Sequence, residues 1–523
     1  MPPNAETTTC TQDATGMITQ ELFQARVKKG EALFIFDDKV YKVDTFAARH
    51  PGGELAIRHG IGRDVTDEIR SMHPPEVYKV MMKKFYIGDY LPIQSSKRQQ
   101  LSSSPESPNH SQQMEKVLQA SWGGRLSVEA FDEAILDLHQ AHAKDLQQGM
   151  VQKQQNKVVD AATMRQKYQA LEQDLKDRGM FECNRYRYGK ECCRYVLLFY
   201  VAIWMALRGT CFTHYMISAI SLAGFWHQLV FTAHDAGHNE ITGRVETDHL
   251  IGVIIANFIG GLSLGWWKDN HNVHHIMTND PEHDPDIQHL PFLAISTRFF
   301  QNLYSSYYQR VMAYDAVARF FVARQHHLYY LILAFGRFNL HRLSFRYLLT
   351  SKQVRMPRLE WIGIGVFFIW YGSLLNQLPN WGTRVMYILV SYMLTFPLHV
   401  QITLSHFGMS TDVIDNEPFP AKQLRTTMDV DCPVWLDWFH GGLQYQAVHH
   451  LYPRLPRHNL RLCVPFVRQF CRETGLHYYM YNFSTGNGVI LGAMKSVADQ
   501  IHLMNDVAKY NAEGWTKDDK KQH

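Results

Sequence analysis

Hydrophobic and polar positions divide the chain into stretches of different rhythm. Residues 17–94 alternate short apolar runs, Ala32 to Phe36 and Val40 to Val43, with polar helical stretches, which predicts a small α+β domain. Ahead of them, residues 1–16 carry neither a basic n-region nor an apolar core, so a disordered leader and no cleaved signal peptide are expected. Residues 95–125 hold a run rich in Ser, Gln and Pro without apolar periodicity, a flexible linker. Apolar residues three and four apart, such as Phe131, Ile135 and Leu138, then predict amphipathic helices over 126–190.

The rhythm changes over residues 191–470. Five long apolar stretches occur there: Tyr195 to Leu207, Cys211 to Ala233, Leu250 to Trp267, Trp361 to Leu375 and Val385 to His399. A helix needs about 20 apolar residues to cross a bilayer, and five such stretches in one half of a chain fit buried helices of a soluble core poorly. The first two form a hairpin around Arg208–Thr210, the last two a second pair, and Leu250 to Trp267 lies in the interface or lines the site. About four spans are therefore expected, followed by a polar tail over 471–523.

Composition changes this picture in two ways. Twenty-eight histidines in 523 residues, concentrated in clusters, point to metal. Eight cysteines without a Cys-x-x-Cys pair read as free thiols of a reducing compartment. The formal charge of +4 is small and the basic residues are dispersed, so nucleic acid is not a partner. A mean hydropathy of −0.26 is compatible with membrane spans because the polar ends of the chain dilute the average.

The first candidate site is Arg49-His-Pro-Gly-Gly53, with Gly62-Arg-Asp-Val-Thr66 and Ser71-Met-His-Pro74 behind it. Proline and paired glycines make a tight turn that aims His50 inward, and His73 follows after a helical stretch. Two histidines clamping an iron from opposite sides leave no open position for dioxygen, which suits electron transfer. Together with "LFIFDDKVYKVDTFAARHPGGE" and "FYIGDY", this arrangement resembles the cytochrome b5 domain. The resemblance implies haem b with His50 and His73 as axial ligands.

Three further clusters follow. His234 and His238 stand at i and i+4; His271, His274 and His275 at i, i+3 and i+4; Gln446, His449 and His450 repeat that spacing with the first histidine replaced. Seven histidines exceed the coordination of one octahedral iron, so two metals are implied, and the absence of thiolates disfavours structural zinc. Glutamine offers one amide oxygen, a harder and weaker ligand than imidazole. Asp235 reads equally as an acceptor orienting an imidazole or as a surface carboxylate; His283, Asp284 and Asp286 as similar acceptors or as a turn. Trp266 and Trp267 read as interfacial anchors.

The clusters, their order and the fused haem domain resemble the membrane front-end desaturases, whose third cluster has Gln for His. "HNVHHIMTNDPEHDPDIQHLP" and "WFHGGLQYQAVHHLYPRLPRHNLR" carry the resemblance beyond the histidines, and Ala447-Val448 ahead of His449 is closest to fungal sphingolipid Δ8-desaturases. It implies a mostly α-helical polytopic membrane domain with a cytosolic di-iron site of His234, His238, His271, His274, His275, His406, Gln446, His449 and His450. His406, in "TLSHFGM", enters through the resemblance and otherwise reads as a helix-end histidine. The implied reaction is O2-dependent desaturation at C8 of a ceramide long-chain base, with electrons from NAD(P)H through cytochrome b5 reductase and the fused haem. Rivals are a Δ5 or Δ6 front-end fatty acyl desaturase, a lipid hydroxylase and a non-catalytic haem-binding membrane protein. Lys520 and Lys521 look like a dilysine signal of endoplasmic-reticulum membrane proteins, which would leave the tail cytosolic.

Overall fold

The computed structural model describes residues 16–92 and 158–519, with side chains to 510. Most of the leader, the linker, the amphipathic stretch before residue 158, and Lys520 with Lys521 lie outside the described residues. Two compact units divide at Pro105.

In the first unit β1 (Met17–Thr19) leads into α1 (Gln20–Lys28), and β2 (Leu33–Phe36) and β3 (Lys39–Lys42) form a hairpin. Four helices follow, α2 (Asp44–Ala47), α3 (Glu54–Arg58), α4 (Thr66–Met72) and α5 (Pro75–Lys79), before β4 (Tyr86–Leu91) closes the sheet in the order β1-β4-β3-β2. β1 runs parallel to β4 and the other pairs are antiparallel. All four residues of β2 are buried because both faces of the sheet are covered. Phe34 and Phe36 face one apolar cluster with Val43, Val65, Tyr78 and Met82, and Leu33 and Ile35 face another with Ile18 and Phe23.

The second unit is helical. It runs α6 (Ala161–Asp177), α7 (Tyr186–Arg208), α8 (Phe212–Gly237), α9 (Val245–Val253), a π-helical turn Ile254–Ile259, and α10 (Leu264–Met277). After a short hairpin, Tyr304–Ser305 with Arg310–Val311, come α11 (Ala316–Val322), α12 (Gln325–Ala334), α13 (Gly336–Thr350), α14 (Pro357–Asn376), α15 (Trp381–Met393) and α16 (Phe396–Leu404). The chain ends through α17 (Phe419–Thr426), α18 (Asp437–His440), α19 (Gln446–Leu451), α20 (Leu460–Thr474) and α21 (Phe483–Asp519).

Among the described residues three helices are long and apolar enough to cross a membrane, α8, α14, and α15 with α16 together, Trp381–Leu404, or four if the bent pair Val245–Ile259 and Leu264–Met277 counts as one span. α7 packs on α8 as the hairpin reading requires, but its first turns carry Arg187, Lys190, Glu191 and Arg194 and only Tyr195 to Leu207 is apolar. That is about 20 Å of helix, short of a 30 Å hydrocarbon core. The stretch Leu250 to Trp267 is broken: α9 with its π turn meets α10 at 118°. Glu360 of α14 satisfies the break. Its Oε2 accepts from Ser263 Oγ at 2.5 Å and Asn257 Nδ2 at 3.0 Å, while Asn257 Oδ1 accepts the Leu264 amide at 3.2 Å. Backbone groups freed at membrane depth need such partners, so the clamp lets α10 start afresh in a new direction.

The tail departs from the expectation of a polar extension. Residues 471–474 complete α20, and α21 buries Ile490, Met494, Val497 and Ile501 against α12 and α16. Their spacing of four, three and four is an amphipathic stripe, so residues 483–501 belong to the core.

Candidate metal centres

In the first unit His50 lies in the turn after α2 and His73 caps the end of α4. His50 Nδ1 donates to the Gly53 carbonyl at 3.0 Å and His73 Nδ1 to that of Ile69 at 3.1 Å. Each bond fixes the tautomer and leaves Nε2 as a ligand atom. Gly53 sits at φ +98°, which a residue with a Cβ would resist, so the turn that presents His50 depends on it. The two imidazoles stand 5.9 Å apart, centroid to centroid, beside the apolar cluster of Phe34, Val43 and Tyr78. Burial holds the His50 pKa below its ordinary value against the pull of the Gly53 carbonyl, so the ring is neutral and ligand-ready.

In the second unit four elements bring the remaining histidines together. α8 ends on His234 and His238, α10 supplies His271, His274 and His275, α19 carries Gln446, His449 and His450, and His406 follows α16. They sort into two adjoining groups. Ligand atoms of His234, His238, His271 and His449 all lie within 4.8 Å of one another, as do those of His274, His406 and His450. His275 stands between them: its Nε2 is 3.1 Å from His271 Nε2, and its ring stacks on His450 at 4.3 Å. Neighbours in sequence therefore serve different groups, His449 one and His450 the other.

The donor chemistry fits metal. His234, His238, His449 and His450 each bury an Nε2 without a hydrogen-bonding partner, a costly arrangement that metal ions would relieve. In the second group every ring donates Nδ1–H to an oxygen: His274 to Asp284 at 2.9 Å, His450 to Gln423 Oε1 at 3.0 Å and His406 to the Thr426 carbonyl at 3.3 Å. Asp284 is itself fixed by the amides of Asn279 at 2.7 Å and Asp286 at 2.9 Å. Gln446, buried at the start of α19, shares a face with His449 and His450.

Much of what surrounds these ligand-type residues is not legible in the sequence. Asp235 is no surface carboxylate. It is fully buried, accepts from Arg457 Nε at 2.5 Å and Tyr188 OH at 2.6 Å, and stands 3.9 Å from His234 Nδ1. Arg457 also pairs with Glu191, which His458 meets at 2.9 Å. Burial would lower the Arg457 pKa, but the two carboxylates hold it well above the ordinary value. Trp266 and Trp267 are not interfacial anchors: Trp266 is buried, and Trp267 stacks on His271 at 4.5 Å and walls off His234 and His238. A Cβ on Gly237 would lie 2.0 Å from the Trp267 ring, so glycine permits this contact. Asp284 supports the site, whereas His283 turns to Ser306 at 2.9 Å. Nothing in the periodicity marks Gln423 or Tyr188; the run Tyr452-Pro-Arg-Leu-Pro-Arg457 marks Arg457 only as basic.

Asp429 positions the third cluster. Its Oδ1 accepts the Ala447 amide at 2.7 Å, at the open N-terminus of α19, and the Tyr478 hydroxyl donates to its other oxygen. Burial pushes the Asp429 pKa up to about 7, against the lowering effect of those two donors. Among the described residues seven cysteines are free.

A fatty acid desaturase family model matches residues 212–482, and a cytochrome b5-like heme/steroid binding domain model matches 19–91. The Delta 8-(E)-sphingolipid desaturase of Emericella nidulans is 42% identical over 95% of this chain and 97% of its own length. The enzyme of the same name from Komagataella phaffii is 42% identical, covering 94% of this chain and 95% of its own. The acyl-lipid (9-3)-desaturase of Borago officinalis is 32% identical, with 92% and 94% covered.

Proposed function

The chain belongs to the fatty acid desaturase family, with a cytochrome b5-like haem domain ahead of the catalytic unit, and from that premise we propose that it desaturates C8 of the long-chain base of a ceramide-type sphingolipid. It is a membrane oxidoreductase acting on lipid with haem and iron as cofactors. The observation that carries the reading is the convergence of the histidine clusters and His406 into two adjoining imidazole groups.

In the proposed assignment His234, His238, His271 and His449 would hold one iron and His274, His406 and His450 the other, with His275 and Gln446 available as further donors. When bound, the iron pair supplies dioxygen chemistry able to remove two hydrogens from unactivated carbon, with two electrons per turnover arriving through the haem of His50 and His73. The chain's own residues do the rest. Asp284, Gln423 and the Thr426 carbonyl hold three rings in the Nδ1–H tautomer. Trp267 packs over the rings of His234, His238 and His271 on one side. The electrons come from NAD(P)H through a cytochrome b5 reductase, since a six-coordinate haem needs an external donor. We place it in the endoplasmic-reticulum membrane with both metal sites on the cytosolic side, a reading supported by its apolar helices, its free thiols and the need for haem and iron to share a compartment.

Similarity to sphingolipid desaturases at up to 42% identity, against 32% for the acyl-lipid enzyme, favours the ceramide substrate and a trans double bond. Expression of the full chain in a host without Δ8-unsaturated sphingoid bases tests this. A base lighter by two hydrogens, with its new double bond at C8, is expected. New polyunsaturated acyl chains with an unchanged base profile would instead establish a Δ5 or Δ6 acyl enzyme, and a product gaining one oxygen a hydroxylase.

A further inference from the structure

One long stretch of the chain supplies no residue to either metal site and carries charge of a single sign. Between Asp315 and Glu360 the sequence holds eight Arg or Lys and no Asp or Glu. It folds as α11, α12, α13 and the loop into α14, and none of α11, α12 and α13 is long and apolar enough to cross a membrane. Arg337 is buried, its guanidinium 3.9 Å from the centre of the Trp226 ring, and Arg355 pairs with Glu246. The other six, Arg319, Arg324, Arg342, Arg346, Lys352 and Arg358, are exposed, and among the described residues none pairs with a carboxylate. Arg310, exposed and also without a carboxylate there, joins them: the centre of the Tyr308 ring lies 5.6 Å from its guanidinium and 5.9 Å from that of Arg346. Like charges gathered in this way repel, a cost that a bound anion removes.

Apolar side chains of the same segment show which anion. α12 turns Gln325, Tyr329 and Leu333 inward, while Leu331 and Phe335, just past its end, stay 54% and 46% exposed. On α13 Asn339, Arg342, Arg346 and Leu349, spaced three, four and three, make one outward stripe, ending in a leucine that is 73% exposed. Phe345 sets the depth of that stripe. Its ring packs on Trp361 at 6.0 Å and on Phe368 at 5.9 Å, so Arg342 and Arg346 stand level with the first turns of α14, where Trp361 and Ile362 are exposed. α14 is apolar enough to cross a membrane, and arginines level with the entry of a span reach headgroup height. An acidic protein face would answer the charge but leave Leu331, Phe335 and Leu349 unmatched. A bilayer surface with anionic lipid answers both.

Resting on the membrane reading above but not on the C8 assignment, we propose that Arg310, Arg342 and Arg346 form a docking site for the phosphates of anionic phospholipid headgroups, with α12 and α13 resting in the headgroup layer of the cytosolic leaflet. Zwitterionic lipid is a poorer fit, because its ammonium restores the positive charge that its phosphate removes. The opposite end of α14 agrees with this placement: the turn Gln377-Leu-Pro-Asn380 carries no charge, as the positive-inside rule asks of the other side. Trp381–Leu404 then brings the chain back to the arginine side, where His406 stands.

The test uses full-length, haem- and iron-loaded protein reconstituted in vesicles of phosphatidylcholine and phosphatidylserine, extracted in mild detergent, with the retained lipid quantified by mass spectrometry. The wild type should retain phosphatidylserine in excess of its share of the vesicle, and less of it as salt rises. In Arg342→Gln with Arg346→Gln the excess should fall about fivefold for each charge removed, and adding Arg310→Gln should lower it further. Arg342→Lys with Arg346→Lys, which keeps the charge, should hold most of it. Wild-type enrichment in the triple glutamine variant, at normal haem and iron content, would overturn the site, as would equal retention of the two lipids by the wild type. Loss of turnover in the glutamine variants with enrichment unchanged would assign the arginines to an acidic protein partner and overturn the lipid reading. Bound lipid rather than product is the readout, so absence of a C8 product would overturn the proposed reaction and leave the docking site standing.

Discussion

The two proposed metal sites are built on opposite plans. The haem site is local: His50 and His73 lie 23 residues apart in one small unit, each fixed by a backbone carbonyl within four residues of itself. The iron-binding groups draw on residues from His234 to His450, and their rings are held by side chains from still other elements, Gln423 of α17 and Asp284 of the loop after α10. A local site fails when its turn fails. A convergent site fails when any of several distant elements shifts, because a displacement of about 1 Å is enough to spoil metal geometry.

The sharpest way to break the comparison is to remove one ligand from each site. His238→Ala should abolish turnover and lower the iron content while the haem spectrum and its reduction by dithionite stay normal. His50→Ala should abolish haem reduction and leave the iron content unchanged. Loss of haem signal in His238→Ala, or of iron in His50→Ala, would mean that the two sites do not assemble independently.

Next in size is Arg457→Met, which leaves Asp235 and Glu191 buried without their cation. Removing one partner of a buried charge network costs about 3–5 kcal/mol. A fall in thermal midpoint is therefore expected together with loss of iron, since Asp235 directly follows the His234 ligand position. A variant with the wild-type midpoint and iron content would show that the network is peripheral to the site.

What the sequence discloses follows the same division. His50 and His73 are legible because their geometry is encoded in contiguous turn chemistry, and the histidine clusters because i, i+3 and i+4 spacing survives in one dimension. Trp267 reads as an anchor in one dimension because its stacking on His271 depends on a 118° break before α10 that no window of hydropathy expresses. Arg457 and Asp235 are 222 residues apart, and Gln423 and His450 are on separate helices, so their pairing exists only after folding. The amphipathic stripe of Ile490, Met494, Val497 and Ile501 was present in the tail but hidden by the polar residues around it.

Gln446 refines the picture of the convergent site with a smaller effect. As a weak ligand or holder of a bound water, it should accept imidazole in its place. Gln446→His is expected to keep part of the activity and Gln446→Leu to lose most of it, both at normal haem content. Wild-type turnover in the leucine variant would leave residue 446 without a role at the metals.

The smallest expected effect concerns how α19 is held. Asp429 carries a pKa of about 7 in the fold, raised by burial above the ordinary carboxylate value of about 4. The native state thus keeps a proton that the unfolded chain has released between those values. Its contribution to stability is complete below about pH 4 and is lost as pH rises through about 7, so this group makes the protein less stable at pH 8 than at pH 5. Asp429→Asn preserves an acceptor for the Ala447 amide and cannot ionise. The variant should show a flatter dependence of thermal midpoint on pH between 5 and 8, converging with the wild type at the acid end. An unchanged slope would mean that Asp429 stays ionised in the fold, and that α19 is anchored by a carboxylate throughout this range.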